Sequence, residues 1–293
     1  MHLPSAVAAL EALLQGILIG GLYAVTALGL SLVLGVLRII NLVHGELLIL
    51  GAFLGYEWLE WTGIDPLVGL LVVVPCVAAF GFVLQRYLLS PLLSFGDEAP
   101  LLTTFGLSII AQNIFILIFT GNSRLIERSY GVSGITLGPV TLSDIYLISF
   151  VIAVVLIGGV HLLVTRTSFG RQVRASAEDP VAAGIVGVNV QWIFAVTFAL
   201  AAGCTAVGGV LAGTAFSFDP TSGTGYLLTG FAIVIIGGLG SIGGTLVGGV
   251  LVGVVESLGA LMFGEGYLDF IGLVVLLVFL PLRPQGLFGM TRR

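Results

Sequence analysis

The sequence predicts an all-α, polytopic helical membrane protein with about eight to nine membrane segments, two of them broken or half-spanning. Composition is the first reason, because 58% hydrophobic and 9% charged residues leave too little charge to cover a soluble globule of 293 residues. Apolar runs near the roughly 20 residues of a spanning helix are the second. The third is the 43 glycines, since small residues let membrane helices approach closely. We expect a single transmembrane domain over 1–293.

The first half of the chain contains five apolar segments, at 10–34, 47–61, 66–88, 101–119 and 145–165. Asp65-Pro66 predicts a helix start, because the Asp oxygen accepts from unpaired N–H groups and Pro at the first helical position has no N–H to lose. We expect 86–100 to be a polar turn. The stretch 121–143 is expected to be a loop that partly folds on the outer surface.

The second half contains four more apolar segments, at 192–216, 226–238, 245–262 and 267–282. The second of these is only about half a crossing long. Glycines four residues apart in both halves predict close helix contacts. These glycines are Gly16/Gly20, Gly51/Gly55, Gly209/Gly213 and Gly240/Gly244/Gly248.

Two interruptions of the apolar pattern, at 38–46 and 238–244, occupy corresponding places in the two halves. Unwound backbone at membrane depth persists only where it is buried or lines a wet cavity, so paired breaks indicate a translocation path. The spacing leaves open whether the halves are an internal repeat. The candidate pathway residues are Asn41, His44, Gly45, Glu46, Gly240, Ser241, Gly243 and Gly244.

The polar residues near these breaks also have structural interpretations. Arg38, His44 and Glu46 are close enough in sequence to form a buried ionic cluster that pins two helices. Asn41 could cap the following half-helix or contact a solute. Glu256, inside an apolar run, fits an interhelical hydrogen bond or a partner Arg better than a transport role. The sequence leaves open whether Arg38, Glu46 and Glu256 are structural or line the path.

The most polar part of the chain is the central loop at 166–191, which holds three arginines followed by Asp179-Pro180. The Asp-Pro pair predicts a short helix over 181–186 that ends at Gly187. Such a helix is too short to span a bilayer and too apolar on one side to stay alone in water. We interpret it as a cytoplasmic docking helix.

The ten basic residues, all arginine, orient the chain. With 166–191 in the cytoplasm, alternating crossings put seven arginines inside and only Arg124 and Arg128 outside, as the positive-inside rule requires. The C-terminus is then cytoplasmic. The seven inside are Arg86, Arg166, Arg171, Arg174, Arg283, Arg292 and Arg293.

The absence of lysine excludes two chemistries. A phosphate-binding loop of the Walker type needs its Lys, and so does a Schiff base. Three scattered histidines and two distant cysteines give no metal-ligand spacing. We therefore expect no enzyme activity, no metal and no cofactor in this chain.

Short motifs that occur along nearly the whole chain form one pattern. In the first half they are Gly21-Leu22-Tyr23-Ala24, Ala27-Leu28-Gly29-Leu30, Gly35, Ile40-Asn41-Leu42-Val43-His44-Gly45-Glu46, Thr103-Thr104-Phe105-Gly106-Leu107-Ser108 and Gln112-Asn113. In the second half they are Gly170-Arg171, Arg174-Ala175, Asp179, Ala182-Ala183, Gly187-Val188-Asn189, the run from Gly237 to Gly244, and Arg283-Pro284-Gln285-Gly286-Leu287-Phe288-Gly289. Together these motifs resemble the membrane permeases of branched-chain amino acid ABC importers, more closely the first of their two paired permeases.

The resemblance implies a complex in the bacterial inner membrane. It contains a second permease, homologous or identical, two ATP-binding subunits that hold ATP and Mg, and an extracytoplasmic solute-binding protein, with no nucleic acid. The solute would be a branched-chain amino acid or a similar small polar molecule such as urea or an amide. The residues implied to engage the ATPase are Gly170, Arg171, Arg174, Asp179, Pro180, Val181, Ala182, Ala183 and Gly187.

Two departures from the family pattern leave the solute open. The family often has Arg-Pro-Leu where this chain has Ser90-Pro91-Leu92, and Val43 replaces a commonly smaller residue. The alternative interpretation is a secondary transporter or channel for a small neutral solute. A coupled carrier usually keeps several carboxylates at the membrane midplane, whereas Glu46 and Glu256 are the only candidates here.

Overall fold

The computed structural model describes residues 6–96, 98–138, 140–264, 266, 268–283 and 285–289. Within them the chain is a helical bundle with one small β-hairpin. The first half contains α1 (Ala6–Val36), α2 (His44–Thr62), α3 (Pro66–Val83), α4 (Ser90–Leu92), α5 (Glu98–Phe119), α6 (Ser129–Val132), β1 (Gly134–Leu137) and β2 (Val140–Ser143). The second half contains α7 (Asp144–Arg166), α8 (Ser168–Glu178), α9 (Pro180–Ile185), α10 (Val190–Ala215), α11 (Gly223–Gly237), α12 (Ile242–Phe263) and α13 (Leu268–Leu282).

Six helices of the described chain are long and apolar enough to cross a membrane. They are α1, the continuous helix Pro66–Leu92, α5, α7, α10 and α12. Two shorter apolar helices, α11 and α13, and the 19-residue helix α2 accompany them, so the predicted polytopic helical architecture is confirmed. The predicted half-spanning segment at 226–238 is α11, which has 15 residues.

The core of the bundle is built on α1 and α10, which run antiparallel. Helix α1 packs against α12, α10 and α7, and α10 also packs against α2 and α3. Glycines allow this close approach, as predicted. A Cβ at Gly20 would lie 2.5 Å from the Cα of Val250, and one at Gly51 would lie 2.7 Å from the Cα of Ala206.

Two predicted connections are more ordered than expected. The predicted polar turn at 86–100 is wrong for most of its length, because α3 continues as a π-helical turn (Leu84–Leu89), then α4 and a 3-10 turn (Leu93–Phe95). The predicted surface loop at 121–143 does partly fold. It carries α6 and the antiparallel pair of β1 and β2, the one departure from an all-α chain among the described residues.

The central loop at 166–191 contains two helices where the sequence predicted one. The predicted helix at 181–186 is confirmed as α9, one residue earlier. The second helix, α8, was missed because its apolar residues are few. Its buried face comprises only Gly170, Val173 and Ser176.

Candidate functional site

Different arginines lie at the two ends of the bundle. At one end, called here the α8–α9 end, Arg86 of the α3 extension donates to Gln191 in the first turn of α10, with Nη1 3.0 Å from Oε1. At the opposite end Arg124 pairs with Glu57 at 3.0 Å. The predicted partition of arginines between two ends therefore agrees with the helix packing for the described residues. Arg292 and Arg293 lie outside them.

Helix α9 is held by its own cap and presents apolar side chains outward. Asp179 Oδ1 accepts from the N–H of Val181 at 2.9 Å and of Ala182 at 3.0 Å, which confirms the predicted cap. Gly187, at φ 88°, follows the helix as predicted. Only Ala183 is buried. The α9 surface, defined as Val181, Ile185 and Val186, is 74%, 82% and 77% exposed.

Helix α8 fixes α9 to the bundle. The side chain of Thr167 caps the start of α8 by accepting from the N–H of Gly170 at 3.0 Å. Gly170 must be small, because a Cβ there would overlap the carbonyl oxygen of Val164 in the last turn of α7. Arg174 donates to that same carbonyl. The guanidinium of Arg174 thus caps α7, whereas Arg171 is exposed and forms no ion pair within the described residues.

The first break, at 37–43, is held by hydrogen bonds and is buried except at Arg38 and Ile40, with Leu42 partly exposed. Asn41 Oδ1 accepts from the N–H of Val43 at 3.2 Å, so the prediction that Asn41 caps the half-helix α2 is wrong: it closes the turn before it. Thr104 of α5 accepts from the N–H of Leu42 at 3.3 Å and lies 3.4 Å from the carbonyl of Ile40. The break is therefore anchored to α5.

The predicted ionic cluster of Arg38, His44 and Glu46 is wrong. Arg38 lies just past the end of α1, at φ 56°, and is exposed. The side chains of His44 and Glu46, in the first turn of α2, are buried in the bundle. His44 Nε2 lies 2.9 Å from the carbonyl of Thr26, and its Nδ1 lies 3.4 Å from the hydroxyl of Thr205. Because a carbonyl only accepts, Nε2 carries a proton, and His44 ties α2 to α1 and α10.

Glu46 lies between three helices. Its Oε1 accepts from the hydroxyl of Ser108 in α5 at 3.0 Å. Its carboxylate also rests against Gly223, the first residue of α11, where a Cβ would lie 3.1 Å from both carboxylate oxygens. Gly45 beside it must be small, because a Cβ there would overlap the carbonyl oxygen of Gly223. The start of α2 and the start of α11 are therefore in direct contact.

The second break, at 238–241, is built from glycines in left-handed conformations and from a capping serine. Gly238 and Gly240 have φ values of 104° and 77°. Ser241 accepts from the N–H of Gly244 at 3.1 Å and so begins α12. Gly243 faces open space, whereas a Cβ at Gly244 would overlap the carbonyl oxygen of Gly237.

The second break lies against the last turn of α1, just before the first break begins. A Cβ at Gly35, in the last turn of α1, would lie 2.6 Å from the Cα of Gly240. A segment near the C-terminus closes the second break, because the N–H groups of Leu287 and Phe288 donate to the carbonyls of Ile236 and Gly237 at 2.9 and 3.1 Å. Of the predicted pathway residues, the structure thus brings Glu46 to the start of α11 and Gly240 to the end of α1.

Glu256 lies on α12 beside a cavity of about 90 Å³ between α11, α12 and α13. Its side chain hydrogen-bonds to Tyr23 of α1, which agrees with the predicted interhelical bond. Gly272 of α13 must be small, because a Cβ there would lie 2.5 Å from Glu256 Oε1. No group of His, Cys, Asp and Glu that could hold a metal ion is found among the described residues.

Sequence reasoning missed several partners of the breaks. Thr104 and Ser108 belong to a quoted motif, yet nothing in their local pattern shows that they reach Leu42 and Glu46. The partners of His44 are more than 15 residues away in sequence, at Thr26 and Thr205. Only the presence of a polar residue in an apolar helix signals such contacts.

The sequence matches the family described as "Branched-chain amino acid transport system / permease component" over residues 12–280. It is 32% identical to the high-affinity branched-chain amino acid transport system permease protein BraD of Pseudomonas aeruginosa, covering 96% of this chain and 95% of that protein. It is 26% identical to LivH of Salmonella typhimurium, with the same coverage of both proteins. A probable LivH of Methanocaldococcus jannaschii is 28% identical, covering 94% of this chain and 92% of that protein.

Proposed function

This chain belongs to the branched-chain amino acid transport permease family, and on that premise we propose that it forms part of the path by which an importer carries a branched-chain amino acid or a similar small polar solute, such as urea or an amide. Its general role follows from the family: the chain is the permease component of an ABC importer and not an enzyme. It is also a multi-pass membrane protein.

The partners in this proposal are a second permease, two ATP-binding subunits with their ATP and Mg, and an extracytoplasmic solute-binding protein. The α8–α9 end faces the cytoplasm and the C-terminus lies on the same side. The arginine distribution supports this orientation, because Arg86, Arg166, Arg171 and Arg174 belong to that end.

The observation that carries the proposal is the α9 surface. Val181, Ile185 and Val186 are exposed at an end of the bundle, on a helix that is too short to enter a membrane. Exposed apolar clusters of this kind mark interaction sites. The α9 surface fits an apolar groove on the ATPase, with Arg171, Asp179 and Pro180 at its edge.

The contacts of α8 and α9 give a route for motion. Arg174 and Gly170 fix α8 to the last turn of α7, and Arg86 links the start of α10 to the extension of α3. A displacement of α9 by the closing ATPase dimer would therefore move α7, α10 and α3 together. Because α10 also packs on α2, this motion reaches the first break.

The proposed path passes the two breaks, at Asn41, His44, Gly45 and Glu46 and at Gly240, Ser241, Gly243 and Gly244. The path would run along α11, because Gly45 contacts its first residue, Gly223, whereas Gly240 follows its last residue and contacts Gly35 of α1. Asn41 and His44 have partners within the chain and therefore act by shaping the backbone. Glu46 Oε2 is an acceptor with no hydrogen-bond partner among the described residues, and a Cβ at Gly243 would meet no atom within 4 Å.

The test replaces Val181 and Ile185 with Asp. We expect the double variant to insert into the membrane at wild-type level but to lose co-purification of the ATP-binding subunits, because two carboxylates cannot enter an apolar groove. The matched control is Val132→Asp, an 88% exposed valine at the opposite end. Undiminished co-purification of the double variant would refute docking through α9.

A further inference from the structure

Glu46 is a buried carboxylate whose charge has no partner within the part of the chain that the structure describes. Its residue surface is 3% exposed. Oε1 accepts from Ser108, but Oε2 has no hydrogen-bond partner among the described residues. Neither of the two ion pairs formed by the described residues includes it. Buried carboxylates are normally paired and hydrogen-bonded, so the second oxygen indicates a donor that arrives from outside the chain.

A complementary group lies directly beside this oxygen. The carboxylate of Glu46 rests against Gly223, at the N-terminus of the 15-residue helix α11. The first turn of a helix has N–H groups without partners in the helix, and it attracts anions. Ser222, at the cap position, forms no side-chain hydrogen bond to this turn. One locus therefore offers both an open carboxylate oxygen and unpaired N–H groups.

The space next to this turn is open. Thr224 and Gly225 are exposed, and a Cβ at Gly225 would meet no atom within 4 Å. The other polar side chains of the first break do not compete for a ligand, because Asn41 and His44 are hydrogen-bonded to the backbone of the chain. A small molecule can therefore approach Thr224 and Gly225 from outside the chain, whereas Gly223 and Glu46 Oε2 are buried and must become accessible for the ligand to reach them.

We propose that Glu46 and the N-terminus of α11 together recognise a zwitterion, the α-amino acid itself: the ammonium group donates to Glu46 Oε2, and the α-carboxylate accepts from the first-turn N–H groups of Gly223 and Thr224. The assignment rests on the proposed function and deepens it, because it selects amino acids over urea and amides, which lack this pair of opposite charges. The ammonium group exchanges its water for the carboxylate of Glu46, and the α-carboxylate exchanges its water for the N–H groups of α11.

The site is tested by equilibrium binding of radiolabelled L-leucine to the assembled permease–ATPase complex in nanodiscs, without the solute-binding protein. The competitors are 4-methylpentanoate, which lacks the ammonium group, and 3-methylbutylamine, which lacks the carboxylate. For the wild type, each competitor is expected to bind at least about tenfold more weakly than leucine, as the loss of a charge-assisted contact predicts.

Two variants separate the two halves of the site. Glu46→Gln should weaken the binding of leucine about tenfold, whereas 4-methylpentanoate should bind no more weakly than to the wild type. Thr224→Pro removes one N–H without breaking an intrahelical bond, because first-turn N–H groups have none. It should weaken leucine and 4-methylpentanoate and leave 3-methylbutylamine unchanged. Glu60→Gln, an exposed carboxylate on the same helix, is the matched control and should change nothing.

Uptake by proteoliposomes that contain the complete importer distinguishes failure of the zwitterion site from failure of the proposed function. If the wild type imports leucine but both variants keep the wild-type discrimination among the three ligands, or the complex without binding protein binds no leucine, the zwitterion site is refuted and the proposed function stands. If the wild type imports no amino acid and the binding protein does not stimulate ATP hydrolysis, both are refuted. A variant that fails to assemble leaves the decision to the other one.

Discussion

Glycines at helix contacts are the residues through which the sequence of this protein acts most directly on its packing. Gly209 of α10 is an example, because a Cβ there would overlap the carbonyl oxygen of Leu48 in α2. Gly158 of α7 is the contrast, since a Cβ there would meet nothing within 4 Å. The same residue type is therefore required at one position and dispensable at the other.

Gly209→Ala should lower the thermal stability of the purified protein, by about 1–3 kcal/mol, the usual cost of overpacking a core. Gly158→Ala should be neutral or stabilise the protein, because alanine is the better helix former. Thermal unfolding of both variants in the same detergent measures the difference. Equal melting temperatures would mean that α2 and α10 are not packed as closely as described here.

Asp219, in the connection between α10 and α11, provides a prediction about pH. Partial burial alone would raise the pKa of its carboxyl, but hydrogen bonds from Thr221 and Ser222 hold the pKa below its ordinary value. Thr221 donates through both its N–H and its hydroxyl, at 2.7 and 2.5 Å. A depressed pKa in the folded state contributes stability above the unfolded pKa and loses it as the pH falls.

The wild type should therefore be more stable than Asp219→Asn at pH 7, and the difference should shrink as the pH falls below about 4, the ordinary pKa of aspartate. Melting temperatures of both proteins between pH 3 and pH 7 test this. A difference that stays constant across the range would show that the carboxylate charge is not involved.

Single polar residues show where sequence reasoning stops at this scale. Asp65 and Asp179 were predicted correctly as caps, because a cap acts within three residues of its own position. The roles of His44 and Glu46 were not, because their partners lie on other helices at large separations in sequence. Composition marks such residues as costly, and only the helix packing shows what satisfies them.

Helices were predictable where hydrophobicity alone defines them. The long spans α5, α7, α10 and α12 lie close to their predicted ranges, since a bilayer demands runs of about 20 apolar residues. Helix α8 was missed, and so was the helical continuation beyond Leu88, through α4 to Phe95. Helix α8 carries most of its polar residues on an exposed face, so its sequence shows no apolar run.

The segment at 285–289 shows a second kind of element that sequence does not reveal. Its backbone donates to the carbonyls of Ile236 and Gly237 in the last turn of α11, where a helix lacks partners of its own. Gly286 has φ 76°, and a Cβ added there would lie 2.5 Å from the backbone nitrogen of Gly238. The second break is thus completed from the far end of the chain.

Truncation after Arg283 should therefore destabilise the protein by about 2 kcal/mol, because two backbone hydrogen bonds worth about 1 kcal/mol each are lost. Removing only 290–293, which lie outside the described residues, is the shorter truncation against which this loss is compared. Thermal unfolding of both truncations tests this. Equal stability would mean that 285–289 does not support the second break.

At the scale of the whole molecule, the orientation in the membrane follows from charge and from helix direction together. The arginine count predicts which end is cytoplasmic, and the antiparallel packing of α1 and α10 shows which elements share that end. The number of crossings could not be read from length alone, because α2 and α11 begin against each other at Gly45 and Gly223 inside the bundle.

Orientation is testable by labelling single cysteines in a variant with Cys76→Ala and Cys204→Ala. Gln172→Cys, on the exposed face of α8, should react with a membrane-impermeant maleimide only in inside-out vesicles. Gly121→Cys, at the opposite end, should react only in intact cells or right-side-out vesicles. The reverse pattern would contradict the proposed orientation of the entire chain.

The α9 surface also constrains how the protein must be produced. A copy made in excess of its partners presents Val181, Ile185 and Val186 to water, and a patch of that kind is what chaperones and quality-control proteases bind. On the proposed docking of an ATP-binding subunit to this surface, we expect synthesis of the permease and of that subunit to be matched in amount. Orphan copies should have short lifetimes in the cell, and co-expression should lengthen them without any change in the chain.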